Sequence, residues 1–101
     1  MIHVIAQIDL HPGSRKAFVV EFDQVVAKVR AEAGCIEYGA AVDAASDLER
    51  QHVDPDRVMI IEKWETLGHL QDHLTAPHML EYRERVGEMI LNAQLNILDP
   101  A

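Results

Sequence analysis

Cysteine, basic residues and long apolar runs are all scarce in this chain. The single cysteine, Cys35, excludes a disulfide within the chain, and a reducing cytoplasm is the expected setting. Nine Lys and Arg stand against 17 Asp and Glu, a formal net charge of −8. A surface of that sign repels phosphate backbones and anionic lipid headgroups, so neither nucleic acid nor a membrane is an expected partner. No apolar run approaches the roughly 18 residues that read as a membrane span. The first residues lack the basic start, apolar run and cleavage site of a secretion signal. There is no glycine-rich phosphate loop, nucleophile elbow or dinucleotide fingerprint, so nothing implies NAD, ATP or a bound flavin, and no cofactor is expected. Repeats and low-complexity tracts are missing too.

What remains suits one domain of 101 residues, 49% hydrophobic and 26% charged. A chain of this length buries roughly 65% of the surface that it exposes when unfolded, enough for one thin core. In residues 2–10, Ile2, Val4, Ala6, Ile8 and Leu10 alternate with His3, Ile5, Gln7 and Asp9, the period of a strand with one buried face. After His11-Pro12-Gly13, Ser14 is placed to cap a helix. From Arg15 to about Glu32 the period changes: Phe18, Phe22, Val25, Val26 and Val29 form a helical stripe, and Gly34 is a natural stop. A second strand is expected from Cys35 to Asp43, with Ile36, Tyr38, Ala40 and Val42 on one face. A polar hairpin loop over 44–57 follows, then a third strand over 58–65 showing Val58, Ile60, Glu62 and Trp64 together. Thr66 should cap a short helix reaching Thr75. Pro77 begins another, since its missing N–H costs nothing in a first turn; this helix carries Met79, Leu80, Tyr82, Val86 and Met89. A last strand over 91–98 alternates Leu91, Ala93, Leu95 and Ile97.

This order, strand-helix-strand-strand-helix-strand, predicts an α+β fold of the ferredoxin-like split βαβ type, with helices on one face of an antiparallel sheet. The opposite face would show His3, Ile5, Gln7 and Asp9 with Met59, Ile61, Lys63 and Glu65, too mixed for a core but too apolar for a fully wetted surface, so a homodimer through this open face is expected.

Chemistry concentrates near the proline. His69 and His73, four apart, share a helix face, yet the residue after the first is Leu70 where a zinc-binding helix needs glutamate, and no metal site is expected. His73 and His78 flank the Pro77 break and would face one cavity, and an imidazole shuttles protons well near neutral pH. Glu62, on an inward strand face, needs a partner, with His73, His78, Lys16 and Arg83 as candidates. Trp64, Tyr38 and Tyr82 could wall a pocket for a flat ligand, though core packing alone would also explain the first two. Cys35, with no adjacent base, reads as a small core residue.

The run Glu62-Lys63-Trp64-Glu65, followed by Leu70, His73, Thr75, Pro77 and His78, resembles the antibiotic biosynthesis monooxygenase domain family. Ala33-Gly34-Cys35-Ile36-Glu37-Tyr38 is similar to its turn into the second strand, and Leu10-His11-Pro12-Gly13 with Phe18 to its first strand exit. The resemblance runs nearly end to end. It implies a dimeric α+β barrel with a pocket between sheet and helices in each subunit. Members of that family include cofactor-free oxygenases of quinols and phenols, so oxygenation of a small aromatic quinol or phenol by dioxygen is the expected activity; the His-Pro-His junction beside an aromatic-bearing strand makes His73 or His78 the expected base, with Glu62 orienting a histidine and Trp64, Tyr38 and Tyr82 binding substrate. The haem-degrading branch resembles a trio of asparagine, tryptophan and histidine that has no counterpart here. Two alternatives stay open: a non-redox isomerase in the same pocket, whose phosphorylated substrate would need Lys63, Arg83 or Arg85, and a dimer that binds a ligand without catalysis.

Overall fold

A computed structural model describes all of residues 1–101. Its elements are β1 (Ile2–Leu10), α1 (Arg15–Arg30), β2 (Cys35–Ala41), β3 (Arg57–Trp64), α2 (Leu67–Leu74), α3 (Pro77–Val86), a short 3-10 turn (Gly87–Met89) and β4 (Ile90–Leu98). The four strands form one antiparallel sheet in the order β2-β3-β1-β4, the ferredoxin-like arrangement that the pattern predicts.

Alternation in β1 and β3 translates directly into layers. Val4, Ala6, Ile8 and Leu10 of β1 and Val58, Ile60, Glu62 and Trp64 of β3 are all buried, while Ile2 is half-buried at the strand's start. Phe18, Phe22, Val25 and Val29 of α1 close over them. Burying each such side chain contributes roughly 1.5–3 kcal/mol, which is what holds this helix to the sheet. Ser14 precedes α1 but its hydroxyl makes no capping bond; only its carbonyl is used, accepting from the N–H of Phe18. Thr66 caps α2 as expected, its side chain accepting from the N–H of His69.

Two bulges move residues from their expected faces. The ladder between β2 and β3 shifts between Cys35 and Glu37, so Cys35 pairs with Trp64 and Tyr38 with Glu62. Ile36 is the extra residue and lies exposed; Ala40 keeps its expected phase opposite Ile60 and Val42 lies past the strand's end, and both are exposed for want of cover and not because of the bulge. A β-bulge changes the side-chain phase by one, which simple alternation cannot show. The second irregularity falls between Asp9 and Leu10, where Leu10 pairs with Ile90 and Asp9 with Asn92. Leu91 is thus left over and exposed, and Ile90 takes the inward place that alternation assigns to Leu91. The last helix also stops earlier than its apolar stripe suggests: Gly87 opens the 3-10 turn, Leu80 faces solvent and Met89 is half-buried.

Helices cover β1, β2 and β3 but leave β4 bare. Leu95 and Ile97 lie opposite Ala6 and Val4 in the register, so they share the inward face, yet they are 47% and 45% exposed. The uncovered stretch beside α3 is where the cavity opens. No helix is long and apolar enough to cross a membrane.

Candidate active site

The cavity, about 350 Å³, lies between the sheet and α2–α3 and is half-open to solvent. That volume is within the usual range for a small-molecule site. Its walls are mostly apolar, including Ala6, Ile8, Ile60, Met79 and Leu95; the polar side chains in the lining are Glu62, His73, Arg83 and Gln94, with the phenols of Tyr38 and Tyr82 beside them. Glu62 and His73 are buried and form part of the floor, whereas Arg83 is exposed and stands at the mouth. Arg83 also donates to the carbonyl of Leu74 at 2.6 Å, closing the last turn of α2.

Four aromatic rings brace one side. Tyr38 stacks on Phe22 with centroids 5.3 Å apart, and Tyr82 meets Phe18 and Phe22 edge-on at 6.1 and 6.3 Å. Burial pushes both phenols far above their ordinary range, so each hydroxyl stays protonated and offers a donor.

His73 is fixed from every direction. Its side chain is 2% exposed, with Trp64 against its face at 4.6 Å and Tyr38 edge-on at 5.3 Å. Nδ1 lies 2.9 Å from Oε2 of Glu32. A carboxylate there accepts from Nδ1–H and leaves the lone pair of the neutral ring on Nε2. Nε2 is on the side of Glu62, 3.8 Å from its Oε1, and Glu62 itself lines the cavity. A buried imidazole with one nitrogen anchored and the other facing an apolar cleft has the geometry of a general base.

Glu32, the anchoring carboxylate, is absent from the expectations drawn from sequence. It follows α1 in the turn to β2, pinned by its own N–H to the carbonyl of Val29 and by the N–H of Cys35 to its carbonyl. A carboxylate in a turn looks like ordinary surface polarity; only the long-range packing of α2 against that turn gives it two imidazole partners. The second is His78, whose Nε2 is 2.9 Å from the same Oε2. His78 therefore does not line the cavity, as the proline-break reasoning expects, but reaches the site through Glu32.

Of the partners expected for Glu62, His73 stands within ion-pair reach, but the hydrogen bond comes from a group not among them: the indole N–H of Trp64 donates to Oε1 at 2.9 Å. At 3.8 Å from His73 it is too distant to orient that ring by a hydrogen bond. Desolvation raises its carboxyl above the ordinary range, against the downward pull of the Trp64 N–H and His73 and with a further push from Glu32. Trp64, fully buried, backs His73 and Glu62 and is not part of the cavity wall. His69 stays apart from His73, bonding Thr66 through Nδ1 at 2.8 Å. Cys35 packs against the core's edge, and burial pushes its thiol up, the opposite of what an activated nucleophile requires.

Comparison with known proteins shows the family. The family model described as antibiotic biosynthesis monooxygenase matches residues 1–85. The Escherichia coli (strain K12) protein named "Probable quinol monooxygenase YgiN" is 39% identical over 102 aligned positions, which cover 99% of this chain and 98% of that protein. Among solved structures, PA3566 from Pseudomonas aeruginosa superposes with a TM-score of 0.82 at 27% identity, covering 99% of this chain and 93% of its own. Rv0793 from Mycobacterium tuberculosis gives a TM-score of 0.82 at 28% identity, with coverages of 99% and 94%. With the family model spanning most of its length and a relative matching it end to end, the chain belongs to the antibiotic biosynthesis monooxygenase family.

Proposed function

We propose that this protein is a monooxygenase acting on a small electron-rich aromatic, a quinol or phenol, with His73 as the base that takes the ring hydroxyl's proton. The observation that carries the reading is the buried imidazole of His73, anchored at Nδ1 by Glu32 and open at Nε2 toward an apolar cleft. An aromatic ring would lie in the cleft with a hydroxyl toward Nε2. Loss of that proton gives a quinolate, which is electron-rich enough to reduce dioxygen without a metal or flavin, so the chain's task is desolvation, orientation and proton transfer. For a naphthohydroquinone the atoms balance as follows. One oxygen atom enters a ring C–H position and the other leaves as water. The four electrons that dioxygen takes come from the quinol, oxidised to the quinone level, and from that C–H bond. Tyr38 and Tyr82 supply neutral donors for the substrate's oxygens, Glu32 holds the base in place and Trp64 backs its ring. The name carried by the Escherichia coli relative supports the same class of substrate.

Uptake of dioxygen by the purified protein with naphthohydroquinone, and mass spectrometry with isotopically labelled dioxygen, test the reading. One labelled atom in the hydroxyquinone is expected, and His73→Ala should lower the rate about a hundredfold or more, the usual contribution of a general base. Turnover undiminished in that variant would refute the role given to His73. Isomerisation of a phosphorylated metabolite is less well served. Of the three cations available to it, Lys63 pairs with Glu37 and Arg85 with Glu21, leaving Arg83 alone at the mouth.

The same reading includes a homodimer through the open sheet face. Ile5 and Ile61 are cross-strand partners there, each 39% exposed. Four charges on that face are already matched within it, Asp9 to Arg57 at 2.8 Å and Glu37 to Lys63 at 2.9 Å. Covering the face would leave those four paired, and a second copy supplies a matching apolar centre.

A further inference from the structure

Oε2 of Glu32 is shared by two imidazoles, 2.9 Å from Nδ1 of His73 and 2.9 Å from Nε2 of His78. Side-chain exposure rises along that line, from 2% at His73 to 14% at Glu32 and 20% at His78. Groups within hydrogen-bond reach of one another thus run from the cavity floor to solvent. Orienting the base needs only the contact between Glu32 and His73; the second histidine calls for a separate reason.

The chemistry provides one. On the quinol reading above, the product hydroxyquinone is a vinylogous carboxylic acid, ionised at neutral pH, so each turnover releases a proton. That proton is collected on an imidazole that is 2% exposed, on the floor of a cleft whose free volume an apolar ring would fill.

We propose that Glu32 and His78 relay this proton from His73 to solvent. It enters at Nε2 of His73, and the proton on Nδ1 passes to Oε2 of Glu32. Nε2 of His78, with that ring in its Nδ1–H tautomer, takes it from there, and Nδ1 of His78 gives its proton up to water. One proton enters and one leaves while substrate is bound, nothing is oxidised or reduced, and Glu32 returns to the carboxylate; each imidazole is left as its other tautomer and regains the first by exchange with water once the product has left. Glu32 and His78 touch no reacting atom: Glu32 is a positioning residue that also carries the proton, and His78 is its outlet.

His78→Gln tests the relay, because the amide still donates to Glu32 but cannot carry a proton. In weakly buffered solution its kcat for oxygen uptake with naphthohydroquinone should fall by about tenfold or more, a modest share of what proton transfer contributes to catalysis, with KM unchanged. Added imidazole should restore the rate. A thermal melt matching wild type shows that the variant folds. An undiminished kcat, or a loss that imidazole does not restore, would overturn the relay, the latter assigning His78 a purely structural part. Proton transfer can also be read without oxygen, by a pH jump on para-nitrophenol held in the cavity, whose ionisation changes its colour. Ionisation slowed in His78→Gln and recovered with imidazole supports the relay, and equal rates in the two proteins exclude it. Failure of the quinol reading shows instead as no oxygen uptake by the wild type, and the nitrophenol experiment decides the relay in that case as well.

Discussion

The indole N–H of Trp64 donates to Oε1 of Glu62 across 2.9 Å, two residues apart on the same inward face of β3. Apart from the phenols of Tyr38 and Tyr82 and the indole of Trp64, Glu62 and His73 are the only buried side chains that carry polar groups. The bond makes the carboxylate tolerable, because an ionised carboxyl in a desolvated site without a donor is costly. It also fixes Glu62 as a cavity residue whose charge faces Nε2 of His73.

Trp64→Phe keeps an aromatic ring behind His73 but removes the donor. Urea unfolding should show a loss of about 2 kcal/mol or more, the usual penalty for depriving a buried charged acceptor of its partner. Stability within a few tenths of wild type would mean that Glu62 needs no such bond.

Glu62→Gln should stabilise the protein at neutral pH and not at acid pH. The carboxyl of Glu62 is raised above its ordinary value of 4.5, chiefly by desolvation, with Trp64 and His73 opposing and Glu32 adding to the rise; Tyr38, its partner on β2, is neutral. The folded state therefore holds the proton more tightly than the unfolded chain does. That contribution is complete below the ordinary value and is lost as pH rises through the raised one. Glutamine still accepts from Trp64 and cannot ionise, so its advantage over wild type should grow from about pH 4.5 upward and then level off. Paired thermal melts across pH measure this. An advantage that shrinks with rising pH would contradict the cause assigned to the shift.

Gly34 and Gly13 both adopt positive φ, +80° and +82°, but in different surroundings. A methyl at Gly34 would sit 2.2 Å from a ring carbon of His69, whereas one at Gly13 would meet nothing within 4 Å. Gly13→Ala should cost about 1 kcal/mol, the backbone strain alone. Gly34→Ala should cost about 3 kcal/mol or more, since the ring of His69 must also move from its bond with Thr66. Denaturant midpoints of the two variants give the comparison, and equal losses would show that His69 yields freely.

Ile61→Lys places a charge at the centre of the open sheet face, opposite Ile5. If two copies pair there, light scattering should give the dimer mass for wild type and the monomer mass for this variant, because an unpaired charge at an interface centre is costly to desolvate. A dimer surviving the substitution would move the interface elsewhere.

Much of this architecture was legible in the chain because strand and helix periods are local. Two-residue alternation in β1 and β3 and the stripe of Phe18, Phe22, Val25 and Val29 follow from backbone geometry within a few residues. So did Thr66 as a cap, and the resemblance carried by Glu62, Trp64, His73 and Pro77 led to the family; Gly34 is not the stop expected of it, for α1 already ends at Arg30 with Ala31 as its cap and Gly34 shapes the turn beyond. Periodicity failed where one inserted residue changed its phase, at Ile36 and at Leu91.

The site divides along the same line. His73, Glu62, Tyr38 and Tyr82 could be named from residue type and strand or helix face, and the fold brings all four to one cavity. Glu32 could not, for 41 residues separate it from His73 and 46 from His78. Nor could the retreat of Trp64 behind the imidazole, or the capture of its N–H by Glu62 in place of any histidine, lysine or arginine. Sequence by itself determined which faces are apolar, because that depends on spacing along the backbone. Tertiary structure alone decided which polar groups meet, because a carboxylate's partner is chosen by whatever other segments the fold carries within 3 Å of it.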